Sequence, residues 1–385
     1  MEKTSSRMAV SSLMLTAFFV LAGAASVNAN SLVNRTLGSG TDSAANKLVP
    51  LGKPSKAPLQ VPRIFEPSTK EVNLVSLQPE GVVNDAPVDL NGDGKTDYVL
   101  TRNTGGGPNG QLTWYFALNG TSANGSLNWG LASDWVLSAD FDGDLKDDIT
   151  IWRPGAPSVA AFYILQSSTS TLRVVQFGQN GDIPTVVADY DGDNRDDPAI
   201  FRISSQSQWW YVGSLNNPSN NATVVNWGTG SDVPAPGDFN GDNRSDFGIY
   251  RDNGSGGLQW WRLLSTGVML PVTTFGSVAD VYAPGDYDGD HKTDLATFRR
   301  SSGQTLWSWQ SSLDGSVHFV AWGSQTDFPV QGDYDGDGKT DIAIWRPDAV
   351  GAQSTFWVQN SSTQGLSVFS FGLNGDFPVA SWNVY

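Results

Sequence analysis

The chain has 385 residues, a formal charge of −16 and no cysteine, with 39 Asp and Glu against 23 Lys and Arg. An acidic balance of this size argues against nucleic acid as a partner. The lack of cysteine removes disulfides, thiol chemistry and sulfur-bound zinc from consideration.

Residues 1–29 carry Glu2, Lys3 and Arg7, then an apolar run from Met8 to Ala25, and end in Val27-Asn28-Ala29. The small-x-small ending fits a secretory signal peptide, with a retained membrane anchor as the alternative. Export is therefore expected, to the periplasm, the cell surface or the medium, with no membrane insertion once the signal is cleaved. Residues 30–60 are rich in Ser, Gly, Asn, Pro and Lys and read as a flexible linker. Residues 61–385 hold the repeats and read as one folded domain, expected to be a monomer.

Six acidic loops of nine residues organise that domain, at spacings of 51, 49, 49, 48 and 47 residues. Positions 1, 3, 5 and 9 are Asp89, Asn91, Asp93 and Asp97 in the first, and Asp140, Asp142, Asp144 and Asp148 in the second. They are Asp189, Asp191, Asp193 and Asp197, then Asp238, Asn240, Asp242 and Asp246, in the third and fourth. The last two carry Asp286, Asp288, Asp290 and Asp294, then Asp333, Asp335, Asp337 and Asp341. Carboxylates this close repel one another in water, so a hard cation is the natural counter-charge. Ca²⁺ suits an all-oxygen set of flexible geometry, with up to six ions expected. Gly336 and Gly338 allow the sharp turn, and a Lys at position 7, such as Lys339, points to a backbone carbonyl as ligand there. Most of the negative charge is accounted for by these loops.

A period near 50 marks a repeat architecture. Each repeat contains four strand-like segments, in the sixth copy Phe328–Gln331, Asp341–Arg346, Thr355–Gln359 and Leu366–Phe371. Four short strands per repeat is the content of one propeller blade, so the expected fold is an all-β propeller of four-stranded antiparallel blades. The first strand occurs in a seventh copy from Phe377, and Val61–Pro67 and Glu71–Leu77 resemble later strands. Seven blades are expected, the seventh composite and without a metal loop; six blades are the alternative.

Other residues keep the same beat. Trp129-Gly130, Phe177-Gly178, Trp227-Gly228, Phe275-Gly276, Trp322-Gly323 and Phe371-Gly372 close the repeats. An Asp follows four residues after each Gly, and an Arg ends each strand after a loop: Arg102, Arg153, Arg202, Arg251, Arg299 and Arg346. The Arg and Asp read as recurring salt bridges from blade to blade, with a polar ligand pocket as the alternative. Recurrent aromatics such as Trp209-Trp210 read as packing between blades, with a sugar-stacking surface as the alternative.

With these loops, the Phe-Gly pairs, and Ala235-Pro236 and Ala283-Pro284 ahead of two loops, the chain resembles the FG-GAP, or VCBS-type, repeats of integrin-like propellers over roughly residues 80–385. That resemblance implies a Ca²⁺-binding extracellular module for adhesion or ligand binding. The Trp-Gly pairs and short repeats depart from the integrin pattern, so integrin ligand specificity is not implied. Gly-Lys-Thr at 94–96 and 338–340 lacks the upstream glycine of a phosphate loop. Only His291 and His318 are available for acid–base work. The paired carboxylates that a glycosidase needs recur inside every metal loop. The reading is a non-enzymatic binding module for an extracellular glycan or protein. A Ca²⁺-dependent polysaccharide lyase and a rigid spacer are the alternatives.

Overall fold

The computed structural model describes residues 86–301, 303–349 and 352–380. The expected signal peptide, linker and upstream strand at 61–77 lie outside them. Among the described residues there is no helix, and the strands form six antiparallel sheets.

Blade 1 contains β1 (Tyr98–Asn103), β2 (Gln111–Ala117) and β3 (Asn124–Leu131). Blade 2 is β4 (Trp135–Ala139), β5 (Asp148–Arg153), β6 (Ala161–Leu165) and β7 (Leu172–Gln176). Blade 3 is β8 (Ala199–Arg202), β9 (Gln208–Tyr211) and β10 (Thr223–Asn226), with Ile183 bridged to Phe201 where a fourth strand would lie. Blade 4 is β11 (Val233–Pro234), β12 (Phe247–Asp252), β13 (Gly257–Leu263) and β14 (Thr273–Ser277). Blade 5 is β15 (Asp280–Tyr282), β16 (Leu295–Arg300), β17 (Thr305–Gln310) and β18 (Val317–Ala321). Blade 6 is β19 (Phe328–Pro329), β20 (Ile342–Arg346), β21 (Gln353–Gln359) and β22 (Leu366–Leu373). The last strand, β23 (Phe377–Pro378), pairs antiparallel with β1 and is the fourth strand of blade 1.

The fold is thus a six-bladed propeller, and the expectation of seven blades is corrected. The seventh copy of the first strand does pair with an N-terminal strand. That partner is β1, whose neighbours are β23 on one side and β2 on the other, so no extra blade is needed. Backbone hydrogen bonds show the ring closing. The position-8 N–H of each loop donates to the position-1 carbonyl of the preceding loop, as Asp147 to Asp89, Asp196 to Asp140, Ser245 to Asp189, Thr293 to Asp238 and Thr340 to Asp286. Thr96 N–H donates to Asp333 C=O at 2.7 Å and completes the circle. All six acidic loops therefore stand side by side on one rim.

Alternation along each strand builds the core. Every blade buries one Trp almost completely in a cross-strand pair: Thr101/Trp114, Trp152/Phe162, Phe201/Trp209, Tyr250/Trp260, Phe298/Trp307 and Trp345/Phe356. Large and medium side chains trade places between the two strands, which keeps the filled volume similar. A buried indole N–H needs an acceptor. Trp114, Trp152, Trp260, Trp307 and Trp345 donate to the carbonyl of Trp129, Phe177, Phe275, Trp322 and Phe371, the aromatic of each Aro-Gly pair. The glycine that follows has φ between 86° and 106°, where a Cβ is disfavoured. The recurring aromatic-Gly pair is therefore a backbone turn that aims a carbonyl into the core.

Trp209 Nε1 has no hydrogen-bond partner. Trp260→Phe should then destabilise the protein by about 1 kcal/mol more than Trp209→Phe, since only the first breaks a hydrogen bond. Denaturant titration of the two variants measures the difference.

Candidate metal centres

Within each loop the position-1 carboxylate organises the backbone. Asp333 accepts N–H bonds from Gly336 at 2.6 Å and Gly338 at 2.8 Å. The same two bonds occur at Asp89, Asp140, Asp189, Asp238 and Asp286. Reaching both donors forces the chain left-handed at positions 4 and 6. Position 4 is always Gly, but position 6 includes Leu145 (φ 65°), Asn194 and Asn243 (φ 61° each) and His291 (φ 63°). The position-5 Asp accepts the position-7 N–H in every loop, at 3.0–3.2 Å.

The position-9 carboxylates are almost completely buried. One oxygen accepts the position-2 N–H, as Asp341 does from Tyr334 at 2.9 Å. In five blades the other oxygen accepts an N–H from the hairpin that follows: Asn119, Ser167, Ser265, Ser312 or Ser361. Burial pushes these carboxyls up against the pull of their N–H donors. Asp246 and Asp341 reach about 6, Asp97 and Asp294 about 7, and Asp148 and Asp197 about 8. A nearby cation acts in the opposite direction and favours the charged form.

Four loops bring three carboxylates to within 4.8 Å of one another. The groups are Asp140, Asp142 and Asp148; Asp189, Asp191 and Asp197; Asp286, Asp288 and Asp290; and Asp333, Asp335 and Asp341. In loops 2, 3 and 6 positions 1, 3 and 9 converge, whereas loop 5 uses positions 1, 3 and 5, leaving Asp294 outside the group. Asp144, Asp193 and Asp337 also lie outside the converging groups. The remaining loops, Asp89–Asp97 and Asp238–Asp246, have Asn at position 3 and form no such group among the described residues. The four groups fit a hard cation by a direct criterion. Asp142 Oδ1, Asp191 Oδ1, Asp197 Oδ1, Asp335 Oδ1 and Asp290 Oδ2 are inaccessible to water and have no hydrogen-bond partner. A buried carboxylate oxygen without a donor is costly, and a bound cation is the partner that would relieve it.

Two further features were not read from the sequence. In blades 2, 3, 5 and 6, serines of the hairpin after the third strand reach the loops: Ser167 and Ser168 bond Asp144 and Asp142, Ser214 bonds Asp193, Ser311 and Ser312 bond Asp288 and Asp290, and Ser361 and Ser362 bond Asp337 and Asp335. Position 7 is Lys or Arg in all six loops, a signal visible in the sequence. Its side chain crosses to the preceding blade, where Lys95 Nζ donates to Asp335 C=O and Lys339 Nζ to Asp288 C=O, both at 2.8 Å.

The opposite face carries the Arg–Asp pairs. Arg153–Asp134, Arg202–Asp182, Arg251–Asp232, Arg299–Asp280 and Arg346–Asp327 tie the start of a first strand to the end of the second, and Asp376–Arg102 does so across the closure. They act within a blade, which corrects the expectation of a blade-to-blade bridge. Each Asp also accepts the N–H three residues upstream, so it fixes the chain as it passes between blades. Arg102, Arg153, Arg202, Arg251 and Arg346 lie over Tyr115, Tyr163, Trp210, Trp261 and Trp357.

No protein-family model matches the chain, and no curated protein does. Among solved structures, AofleA from Arthrobotrys oligospora is similar at 10% identity and a TM-score of 0.42, over 70% of this chain and 82% of that one. A mutant of AofleA with three arginines replaced by alanine gives 9% identity and a TM-score of 0.45, over 74% and 88%. A putative 6-phosphogluconolactonase from Bacteroides fragilis gives 12% identity and a TM-score of 0.39, over 74% and 96%. At these values no activity carries over from them.

Proposed function

We propose that this chain is an exported, Ca²⁺-stabilised propeller of the FG-GAP/VCBS type that serves as a binding module for an extracellular glycan or protein and not as an enzyme. The observation that carries the metal part is the set of water-inaccessible, partnerless carboxylate oxygens in loops 2, 3 and 6, with loop 5 bringing three carboxylates equally close together. Calcium is favoured over magnesium because the donors sit in irregular loops, and Mg²⁺ demands near-ideal octahedral geometry. The binding part is supported by the rigid closed ring and by the resemblance of its loops. A cleft of about 300 Å³ lies between blade 6 and the hairpin of blade 1, lined by Tyr98, Asn119, Thr121, Asn124, Ser367 and Phe369 among others. It is the first place to map a ligand by mutation.

An ion that binds only the folded ring stabilises it by about 2.7 kcal/mol per site at a hundredfold excess over its Kd. Stripping calcium should lower the melting temperature by about 5–11 °C for each site emptied, at about 2–4 °C per kcal/mol. Calorimetry with and without calcium, beside elemental analysis, measures it. An unchanged melting curve with no calcium found would falsify the metal reading. A glycan array and a pull-down with the calcium-loaded protein test the binding reading, and release of unsaturated sugar products would replace it with a lyase.

A further inference from the structure

Resting on that calcium reading, we infer that the six loops are of two kinds. Loops 2, 3, 5 and 6 bind the ion tightly, in two adjacent pairs. Loops 1 and 4, opposite one another across the ring, are closed by an internal amide hydrogen bond and bind it weakly.

In loops 2, 3 and 6 the hairpin holds one oxygen of a carboxylate and leaves the other bare. Ser168 Oγ bonds Asp142 Oδ2 at 2.6 Å, and Oδ1 has no partner. Leu215 N–H bonds Asp191 Oδ2 at 2.8 Å, and again Oδ1 has none. Ser362 Oγ bonds Asp335 Oδ2 at 2.6 Å with Oδ1 bare. In loop 5 the roles shift by one ligand. Ser312 Oγ bonds Asp290 Oδ1 at 2.8 Å, while Oδ2 has no hydrogen bond and lies 3.5 Å from Lys292 Nζ. Loop 3 adds the fully buried Asp197, whose Oδ1 is also bare. Each held carboxylate is pre-oriented, so little side-chain entropy remains to be lost when an ion arrives.

Loops 1 and 4 lack this arrangement. Asn91 Oδ1 accepts Asp93 N–H at 2.8 Å, and Asn91 Nδ2 donates to Asp93 Oδ2 at 3.2 Å. Asn240 makes the same two bonds to Asp242, at 3.0 Å each. The pair of bonds fixes which amide atom is oxygen and which nitrogen. The amide N–H thus partners the carboxylate that an ion would otherwise neutralise. No carboxylate oxygen of these two loops is both buried and partnerless. The hairpins opposite them read Asn119-Gly120 and Leu264-Ser265, where loops 2, 5 and 6 face a Ser pair and loop 3 faces Gly213-Ser214-Leu215. With one negative charge fewer, a loop of this kind should bind Ca²⁺ at least about tenfold more weakly, since affinity follows ligand charge and rigidity.

The test is equilibrium dialysis of the full chain against calcium chloride with elemental analysis, beside calorimetric titration. Four ions per chain should bind in a first class, with two more only at concentrations at least about tenfold higher. Asn240→Asp and, independently, Asn91→Asp should each add a fifth ion to the first class. Asp142→Asn should reduce it to three. The two Asn→Asp variants gain an ion, so a general loss of folding cannot imitate the expected result. Six ions of one class, or a count of four that both Asn→Asp variants leave unchanged, would overturn the inference while leaving the calcium reading intact. No bound calcium at any concentration would overturn both.

Discussion

Truncation after Gly375 should lower the melting temperature of the whole ring by about 10 °C or more in a single transition, not fray one end. Residues 376–380 supply the inner strand of blade 1. Val379 N–H donates to Val99 C=O at 2.9 Å, Val379 and Ala380 are buried, and Asp376 pairs with Arg102 at 2.5 and 2.8 Å. Removing them exposes apolar surface worth about 1.5–3 kcal/mol per large side chain and leaves Arg102 without its carboxylate. It also opens an edge on β1, where the first and last of the described strands pair. A loss of about 4 kcal/mol corresponds to about 8–16 °C for a domain of this class. Differential scanning calorimetry of the truncated and full chains decides it. Equal melting temperatures would mean that β23 adds nothing to closure. A milder variant, Asp376→Asn, keeps the strand and should cost only part of the shift.

The blade and its loop were legible in the sequence because their constraints are local. A left-handed turn at positions 4 and 6, an N–H cage around a position-1 carboxylate and an Aro-Gly turn each leave a residue-type mark at fixed spacing. Blade number was not, because the seventh strand copy has the same local sequence whether it starts a new blade or completes the first. Its destination is the free edge of β1, about 280 residues earlier in the chain. The Arg–Asp beat was visible, but its direction was not. A recurring pair looks the same whether it joins strands within a blade or between blades. The division among the loops was the least legible. The Asn-for-Asp exchange at position 3 was in view, yet its meaning rests on hairpin donors some twenty residues downstream that hold one carboxylate oxygen and free the other.

The second large effect is a reversal of pH dependence by calcium. Without the ion, the position-9 carboxyls are pushed up from about 3.8 to about 6–8 by burial. A raised carboxyl in the folded state means that the folded protein holds more protons than the unfolded chain between those values. The stability it contributes is fully present below about pH 4 and is lost as pH rises through 6–8. Calcium-stripped protein should therefore melt lower at pH 8 than at pH 5, by on the order of 10 °C with six such groups acting together. With the ion bound, the same carboxylates are held charged, so their stabilisation is present above about pH 4 and is lost on acidification. The difference in melting temperature between loaded and stripped protein should be small at pH 5 and largest at pH 8. Calorimetry of resin-stripped and calcium-saturated samples from pH 5 to pH 8 gives both curves. A stripped protein that is equally stable or more stable at pH 8 would show that the buried carboxyls already have their counter-charge within the protein, and that the loops do not need a metal.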